Sequence, residues 1–263
     1  MRVELPGHDI VGIRAANPGP FTLSGTNTWI VGRDPAWLVD PGPALGEHVE
    51  ALSDEIGRRG GLAAVALTHD HADHVDALPA LRERFPDATV AAARGSVDVT
   101  LDEGDRFGPL LALRIPGHAP DHLAFVTGEV ALTGDAVLGQ GSVFIAPDPG
   151  ALAGYLDGLE RLRRRELRLL APGHGPVVED PQAKLAEYIA HRLERERRLL
   201  TALDAGRRSV EELLEAAWDD VPPALRPAAA VTLAAHLDKL ADEGRLPAGV
   251  ERPRAPSLDG AQP

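Results

Sequence analysis

The 263-residue chain has no cysteine. That excludes disulfides and thiolate ligands together, so any metal it carries is held by nitrogen and oxygen. The absence also fits a cytoplasmic protein. Positive charge is short: 27 Lys and Arg stand against 40 Asp and Glu, a net of −13. Generic binding to phosphate backbones needs a basic footprint, so double-stranded DNA is not an expected partner. Long apolar runs are missing as well. Met1 to Pro18 holds no continuous apolar segment of signal-peptide length, and no stretch approaches a membrane span. The expectation is a soluble, cytoplasmic protein with no membrane partner.

What is present is ordinary in bulk. Hydrophobic residues at 44% and charged residues at 25% match a globular protein. The length allows one large domain, or one plus a small second one. The charge is uneven: residues 161–208 carry 12 Lys/Arg against 7 Asp/Glu, and the remainder 15 against 33. A solvated helix face is the simpler account of that stretch. A surface for a polyanion is the sharper one.

Histidine is concentrated in one place. Of ten in the chain, three fall in the six residues His69 to His74, with Asp70 and Asp73 between them. The apolar run Ala63 to Leu67 ahead of them reads as a buried strand, so the cluster sits where a strand becomes a loop. Imidazole and carboxylate are ligands common to zinc, iron and manganese. A polar loop with scattered histidines is the bland alternative, and the clustering argues against it.

Along the chain, Phe21 to Val31 reads as one or two strands and Ala36 to Asp40 as another, ended by Asp40-Pro41-Gly42-Pro43. A helix from Gly46 to Arg59 carries Val49, Leu52 and Ile56 on one stripe. A second helix is expected over Val75–Arg84, with Asp76 as its cap, then a strand over Ala88–Ala92. Leu110–Ile115 is apolar and ends at Pro116-Gly117-His118. A strand starts at His122, and Glu129–Leu132 ends at Thr133-Gly134-Asp135. Ala151–Arg165 is an amphipathic helix, and Leu167–Leu170 ends at Pro172-Gly173-His174. Each of these polar groups follows an apolar, strand-like run. In an α/β protein such strand ends assemble a site on one sheet edge. Gathered together they offer five histidines and two aspartates, enough for two metals.

Thr-His-x-His-x-Asp-His, Pro-Gly-His, Thr-Gly-Asp and Pro-Gly-His-Gly-Pro, in that order between Thr68 and Pro176, resemble the metallo-β-lactamase superfamily. The resemblance implies an αββα sandwich (α/β in the broad sense, α+β in detail) with a dinuclear metal centre. It implies that His69, His71 and His118 hold one metal, and that Asp73, His74 and His174 hold the other, with Asp135 bridging. Two divalent ions are implied, zinc first, with manganese or iron as alternatives. Val75-Asp76 stands where many members have a glycine pair, and Ala119 where a threonine often follows the histidine. Neither change touches a ligand position.

The segment from Asn17 to Thr28 and the helical C-terminus resemble the β-lactamase-like protein 2 branch. Its members are linked to endoribonuclease activity on single-stranded RNA, and close relatives to thioester hydrolysis. A metal-bridging hydroxide is the implied nucleophile, with Asp73 to orient it. His122, four residues past His118, is the candidate general acid; a core histidine satisfied by Asp121 or the backbone is the competing reading. Thr26 and Asn27 read as turn residues. RNA phosphodiester cleavage leads. Hydrolysis of a small-molecule thioester or other acyl ester, as in glyoxalase II, is the alternative, and an iron-dependent oxidoreductase of the same fold comes third.

The catalytic unit is expected over 1–180 and a helical, winged-helix-like unit over 181–248. The latter comprises a long helix from Pro181 to Ala205, a serine-capped helix from Ser209, a third helix over Ala228–Glu243 and a short strand from Gly244. Arg192, Arg195, Arg197 and Arg198 fall on the polar face of the long helix. The third helix is too acidic to read a major groove. Residues 249–263 are expected to be disordered.

Overall fold

The computed structural model describes residues 1–253. Strands β1 (Arg2–Leu5), β2 (Ile10–Arg14), β3 (Asn27–Val31), β4 (Ala36–Val39), β5 (Leu62–Ala66), β6 (Thr89–Ala92) and β7 (Val99–Thr100) form one sheet in chain order. The second sheet runs β12 (Leu169–Pro172), β11 (Val130–Gly134), β10 (Leu123–Thr127), β9 (Leu110–Arg114) and β8 (Arg106–Phe107). Helix α1 (Gly46–Arg58) crosses between the parallel strands β4 and β5, and α4 (Ala151–Arg163) between β11 and β12.

Period-two side-chain alternation makes the layers. Leu123 and Phe125 of β10 pack against Trp29 and Val31 of β3 between the sheets. Ala124 and Val126 face Leu152, Tyr155 and Leu159 of α4. Ile30 turns the other way, onto Leu52 and Ile56 of α1. The expected αββα sandwich is therefore present, with α1's apolar stripe on the residues its periodicity marked.

Several expectations are corrected. The helix expected over Val75–Arg84 is two, α2 (Ala72–Val75) and α3 (Leu78–Arg84). Pro79 has no N–H to give and so belongs in the first turn of a new helix. Ala77 N–H donates to the Gly42 carbonyl and Gly42 N–H to the His74 carbonyl, both at 2.9 Å. Asp76 ends α2 and caps nothing with its side chain. In the Phe21–Val31 stretch only β3 is a strand, and β1 and β2 were not foreseen.

At the C-terminus, α5 (Pro181–Asp204), α6 (Val210–Ala217) and α7 (Arg226–Asp242) share a core that includes Leu199, Leu213, Trp218 and Leu237. Ser209 and Glu212 form a reciprocal capping box at the start of α6. Leu185 and Tyr188 at the other end of α5 pack with α4, so this helix belongs to both cores. The strand expected from Gly244 is absent. Arg245 N–H donates back to the Leu240 carbonyl at 2.8 Å, and the segment closes the helix. Of the tail expected to be disordered, Glu251 N–H donates to the Arg208 carbonyl at 2.8 Å; residues 254–263 lie outside the described residues.

Candidate metal centre

All the expected ligand side chains stand just beyond strand ends on one edge of the sandwich. His69 and His71 follow β5, and α2 carries Asp73 and His74. His118 lies beyond β9, Asp135 directly follows β11, and His174 lies beyond β12. The two sheets are stitched together at this edge. Leu123 N–H donates to the Thr68 carbonyl and Asn27 N–H to the Gly173 carbonyl, both at 2.7 Å. The Asn27 amide reaches the Pro172 and Gly175 carbonyls at 3.1 and 3.0 Å. Thr26 accepts from the Asn17 amide and donates to Asp73 Oδ2 at 3.0 Å. Thr26 and Asn27 thus position the centre, where the sequence reading made them turn residues.

The side chains converge as two triplets. One ligand atom from each of His69, His71 and His118 lies within 4.8 Å of the others, and the same holds for Asp73, His74 and His174. Asp135 reaches both sets, with Oδ2 3.5 Å from His118 Nε2 and 3.4 Å from His174 Nε2, and Oδ1 3.4 Å from His74 Nε2. Gly173 permits this approach: a Cβ there would lie 2.6 Å from Asp135 Oδ1 and 2.7 Å from His74 Cε1.

Asp40 is the functional residue that sequence reasoning missed. Its Oδ1 accepts the Thr68 N–H at 2.7 Å, and its Oδ2 accepts the Thr68 hydroxyl at 2.7 Å and faces His74 Nδ1 at 2.8 Å. The Thr68 hydroxyl, its hydrogen already given, accepts from His69 Nδ1 at 2.9 Å. Asp40 groups with His69 and His74 by distance, but its oxygens are occupied by these bonds. It orients ligands rather than joining them.

Burial drives His118 to about 4 and His69 well below the ordinary imidazole range, and it lowers His71. Burial also opposes charge on Asp73, but His174 and His74 overcome it and hold Asp73 at about 2. On the other side of the centre, Asp135 and Asp73 outweigh burial and push His174 up to about 9. His118 Nε2 faces His71 Nδ1 at 2.9 Å and His74 Nε2 faces His174 Nε2 at 3.3 Å. His69 Nε2 is buried without a hydrogen-bond partner. Imidazole nitrogens turned toward one another beside two carboxylates are a divalent-metal donor set. The residues present fit a metal pair.

His122 is 1% exposed, and its Nε2 accepts the Asp135 N–H at 3.0 Å. Its lone pair is thereby used, burial depresses its basicity, and it does not line the adjoining cavity. This geometry suits support of Asp135, not proton donation to a leaving group. The cavity, about 510 Å³, opens on His118 and Asp135 and runs to the C-terminal helices. Phe144 lies in its wall with its ring centroid 4.6 Å from that of His118.

The family model of the β-lactamase superfamily domain matches residues 37–156, and that of the β-lactamase associated winged helix domain matches residues 209–247. An atrochrysone carboxyl ACP thioesterase of Aspergillus novofumigatus is 33% identical over 242 residues, covering 83% of this chain and 73% of that protein. The chain belongs to the metallo-β-lactamase superfamily. The β-lactamase-like protein 2 homologue of Caenorhabditis elegans is 30% identical across 92% of this chain and 87% of its own. A β-lactamase domain protein of Burkholderia ambifaria shares the superfamily fold, with a TM-score of 0.78 over 92% of this chain and 88% of that one at 21% identity. Both the superfamily sandwich and its winged-helix appendage, expected from sequence, are thereby established. Among the described residues, no helix is long and apolar enough to cross a membrane.

Proposed function

We propose that the protein is a dinuclear metal-dependent hydrolase of acyl thioesters. The observation that carries this reading is the cavity beside the centre, walled largely by apolar side chains such as Phe21, Leu23, Leu138, Val143, Phe144 and Leu225. Such a wall accommodates an acyl group. The thioesterase named among the relatives points the same way. His69, His71 and His118 would hold one ion and Asp73, His74 and His174 the other, and Asp135, within reach of both sets, would contribute its carboxylate. Zinc suits this nitrogen and oxygen set, as do manganese and iron.

A metal pair, when bound, makes water nucleophilic at neutral pH and acts as a Lewis acid. The chain's own residues do the rest. Thr26 holds the ionised Asp73 in place for orienting water. Phe21 and Phe144, edge to face at 6.3 Å, give the cavity an aromatic wall beside His118. Leaving-group chemistry also favours the thioester. A thiol of pKa about 8.5 departs as thiolate without a proton donor, so a His122 committed to Asp135 costs nothing. His191 lines the cavity but is held by burial at about 4, and is a poor acid at neutral pH.

The RNA reading rests on the resemblance to the β-lactamase-like protein 2 branch and on the basic stretch at 161–208. Much of that charge is internally paired: Arg161 with Glu103, Arg168 with Glu129, Arg195 with Asp220, and Arg198 with Asp219. A polyanion finds fewer free guanidinium groups than the count implied. The test sets acyl thioesters beside a labelled single-stranded RNA, with wild type, Asp73→Ala and metal analysis. Thioester hydrolysis lost in Asp73→Ala, with two metals per wild-type chain, is expected. RNA cleavage that depends on Asp73, with thioesters untouched, would reverse the assignment.

A further inference from the structure

Two arginines one turn apart on α5 line the cavity, and they are treated differently. Arg195 is held by Asp220 through two hydrogen bonds of 2.7 and 2.8 Å, and it also donates to the Ala217 carbonyl. Arg192 is 2% exposed. Its Nη2 donates to the Val143 carbonyl, its guanidinium stands 5.8 Å from the Tyr155 ring centre, and its Nε is buried with no acceptor. Among the described residues no carboxylate is in ion-pair range of it; burial weighs most against its charge, and the Tyr155 hydroxyl and Tyr188, neither of them an anion at neutral pH, offset this only in part. The carboxylates that line the cavity beyond the metal centre are both engaged, Glu187 by Lys184 at 3.1 Å and Asp220 by Arg195.

A second donor lacks an acceptor in the same cavity. His191 Nε2 accepts from Arg195 Nε at 3.3 Å. Arginine only donates, so the imidazole proton is on Nδ1, and that atom is buried without a partner. Burying a guanidinium without an anion is costly, because arginine cannot shed its proton to escape. An apolar cavity that keeps such a charge, beside a donor also unmet, is built for an anionic acceptor supplied from outside.

We propose that Arg192, assisted by His191, binds a carboxylate carried by the acyl group of the substrate, at the end remote from the scissile bond. The cavity connects the two ends: the Val143 carbonyl accepts from Arg192, and the next residue, Phe144, packs on the His118 ring. A single unmatched cation suits a carboxylate, which arginine grips through two parallel bonds. A polyanion would instead meet Glu187 and Asp220. The substrate class is therefore the monothioester of a dicarboxylic acid. This deepens the thioester reading and rests on it.

The experiment has two independent arms. In the first, calorimetry measures adipate, hexanoate and inorganic phosphate binding to the metal-loaded protein and to Arg192→Gln and Arg192→Lys. Adipate is expected to bind wild type at least about tenfold more tightly than hexanoate does, to lose that advantage in Arg192→Gln and to regain part of it in Arg192→Lys. Phosphate binding that exceeds adipate and falls with Arg192→Gln would assign the anchor to phosphate and overturn the carboxylate. In the second arm, kcat/KM for adipyl and hexanoyl thioesters is compared, and a wild-type ratio of about ten or more is expected to collapse in Arg192→Gln. Adipate binding equal to hexanoate in wild type, or unchanged in Arg192→Gln, overturns the proposal, and the wild-type comparison holds even if a variant fails to fold. If neither thioester is hydrolysed but adipate binding depends on Arg192, the anchor stands and the thioester reading falls.

Discussion

Asp40 Oδ2 lies 2.8 Å from His74 Nδ1 and accepts the Thr68 hydroxyl that in turn receives His69 Nδ1–H. One buried carboxylate thus sets the tautomer of two imidazoles, one from each triplet, and leaves Nε2 of both facing the centre. Asp40→Asn keeps the volume and removes the charge. It is expected to lower metal affinity about 10–100-fold, read as metal retained per chain after dialysis against a chelator. Thr68→Val, which cuts only the His69 branch, should lose less.

Gly173→Ala adds one methyl where the nearest atoms belong to Asp135 and His74, at 2.6 and 2.7 Å. Either side chain must shift, and both are needed at the centre. Metal content and activity should fall while the circular-dichroism spectrum is retained. Full metal loading in this variant would mean that Asp135 is not needed in its present position.

His122→Gln separates the two roles considered for this residue. A glutamine oxygen can still accept the Asp135 N–H, so a supporting role predicts that kcat falls less than about tenfold. A general acid would lose about 10²-fold or more. His122→Leu leaves that amide unpaired and is expected to cost about 1–3 kcal/mol of stability, measured by denaturant unfolding.

Glu55 is buried and is met by Arg2, Arg58 and Arg59. Burial opposes its charge, but the three guanidinium groups overcome it and hold its carboxyl at about 2, below its ordinary 4.5. A depressed carboxyl stabilises the fold above about 4.5 and loses that contribution as the pH falls through about 2. Glu55→Gln should destabilise by about 1–3 kcal/mol at pH 7, since the equally buried Arg59 keeps only Asp9 as a carboxylate partner. The difference in melting temperature from wild type should narrow as the pH is lowered from 5 toward 2.

The ligand residues were legible in the sequence because their chemistry is local. Histidine and aspartate packed into a few positions at strand ends leave little room for another reading. Asp40 was not, since an aspartate before Pro41-Gly42 looks like turn chemistry until its three bonds are seen. Strand β2, which carries Gly12 at its centre, was not assigned from the sequence. A Cβ at Gly12 would lie 2.7 Å from the Trp29 ring, so the glycine is there to admit the indole. Arg192 and Arg195 were assigned to a polar helix face by their type. Only the neighbouring helices reveal that this face is interior.

Because the cavity takes one wall from the sandwich edge and the other from residues such as Trp218, Val221, Pro222 and Leu225, its two ends are free to diverge at different rates. The metal-bearing end is the more constrained, since Asp40, Thr68 and Thr26 hold His74, His69 and Asp73 in place. The helical end can be rebuilt by substitution or exchange of a short unit, altering which molecule fits while the reacting group is still delivered to the same place. A scaffold divided in this way can acquire new substrates in evolution, or by engineering, without having to reinvent its reaction.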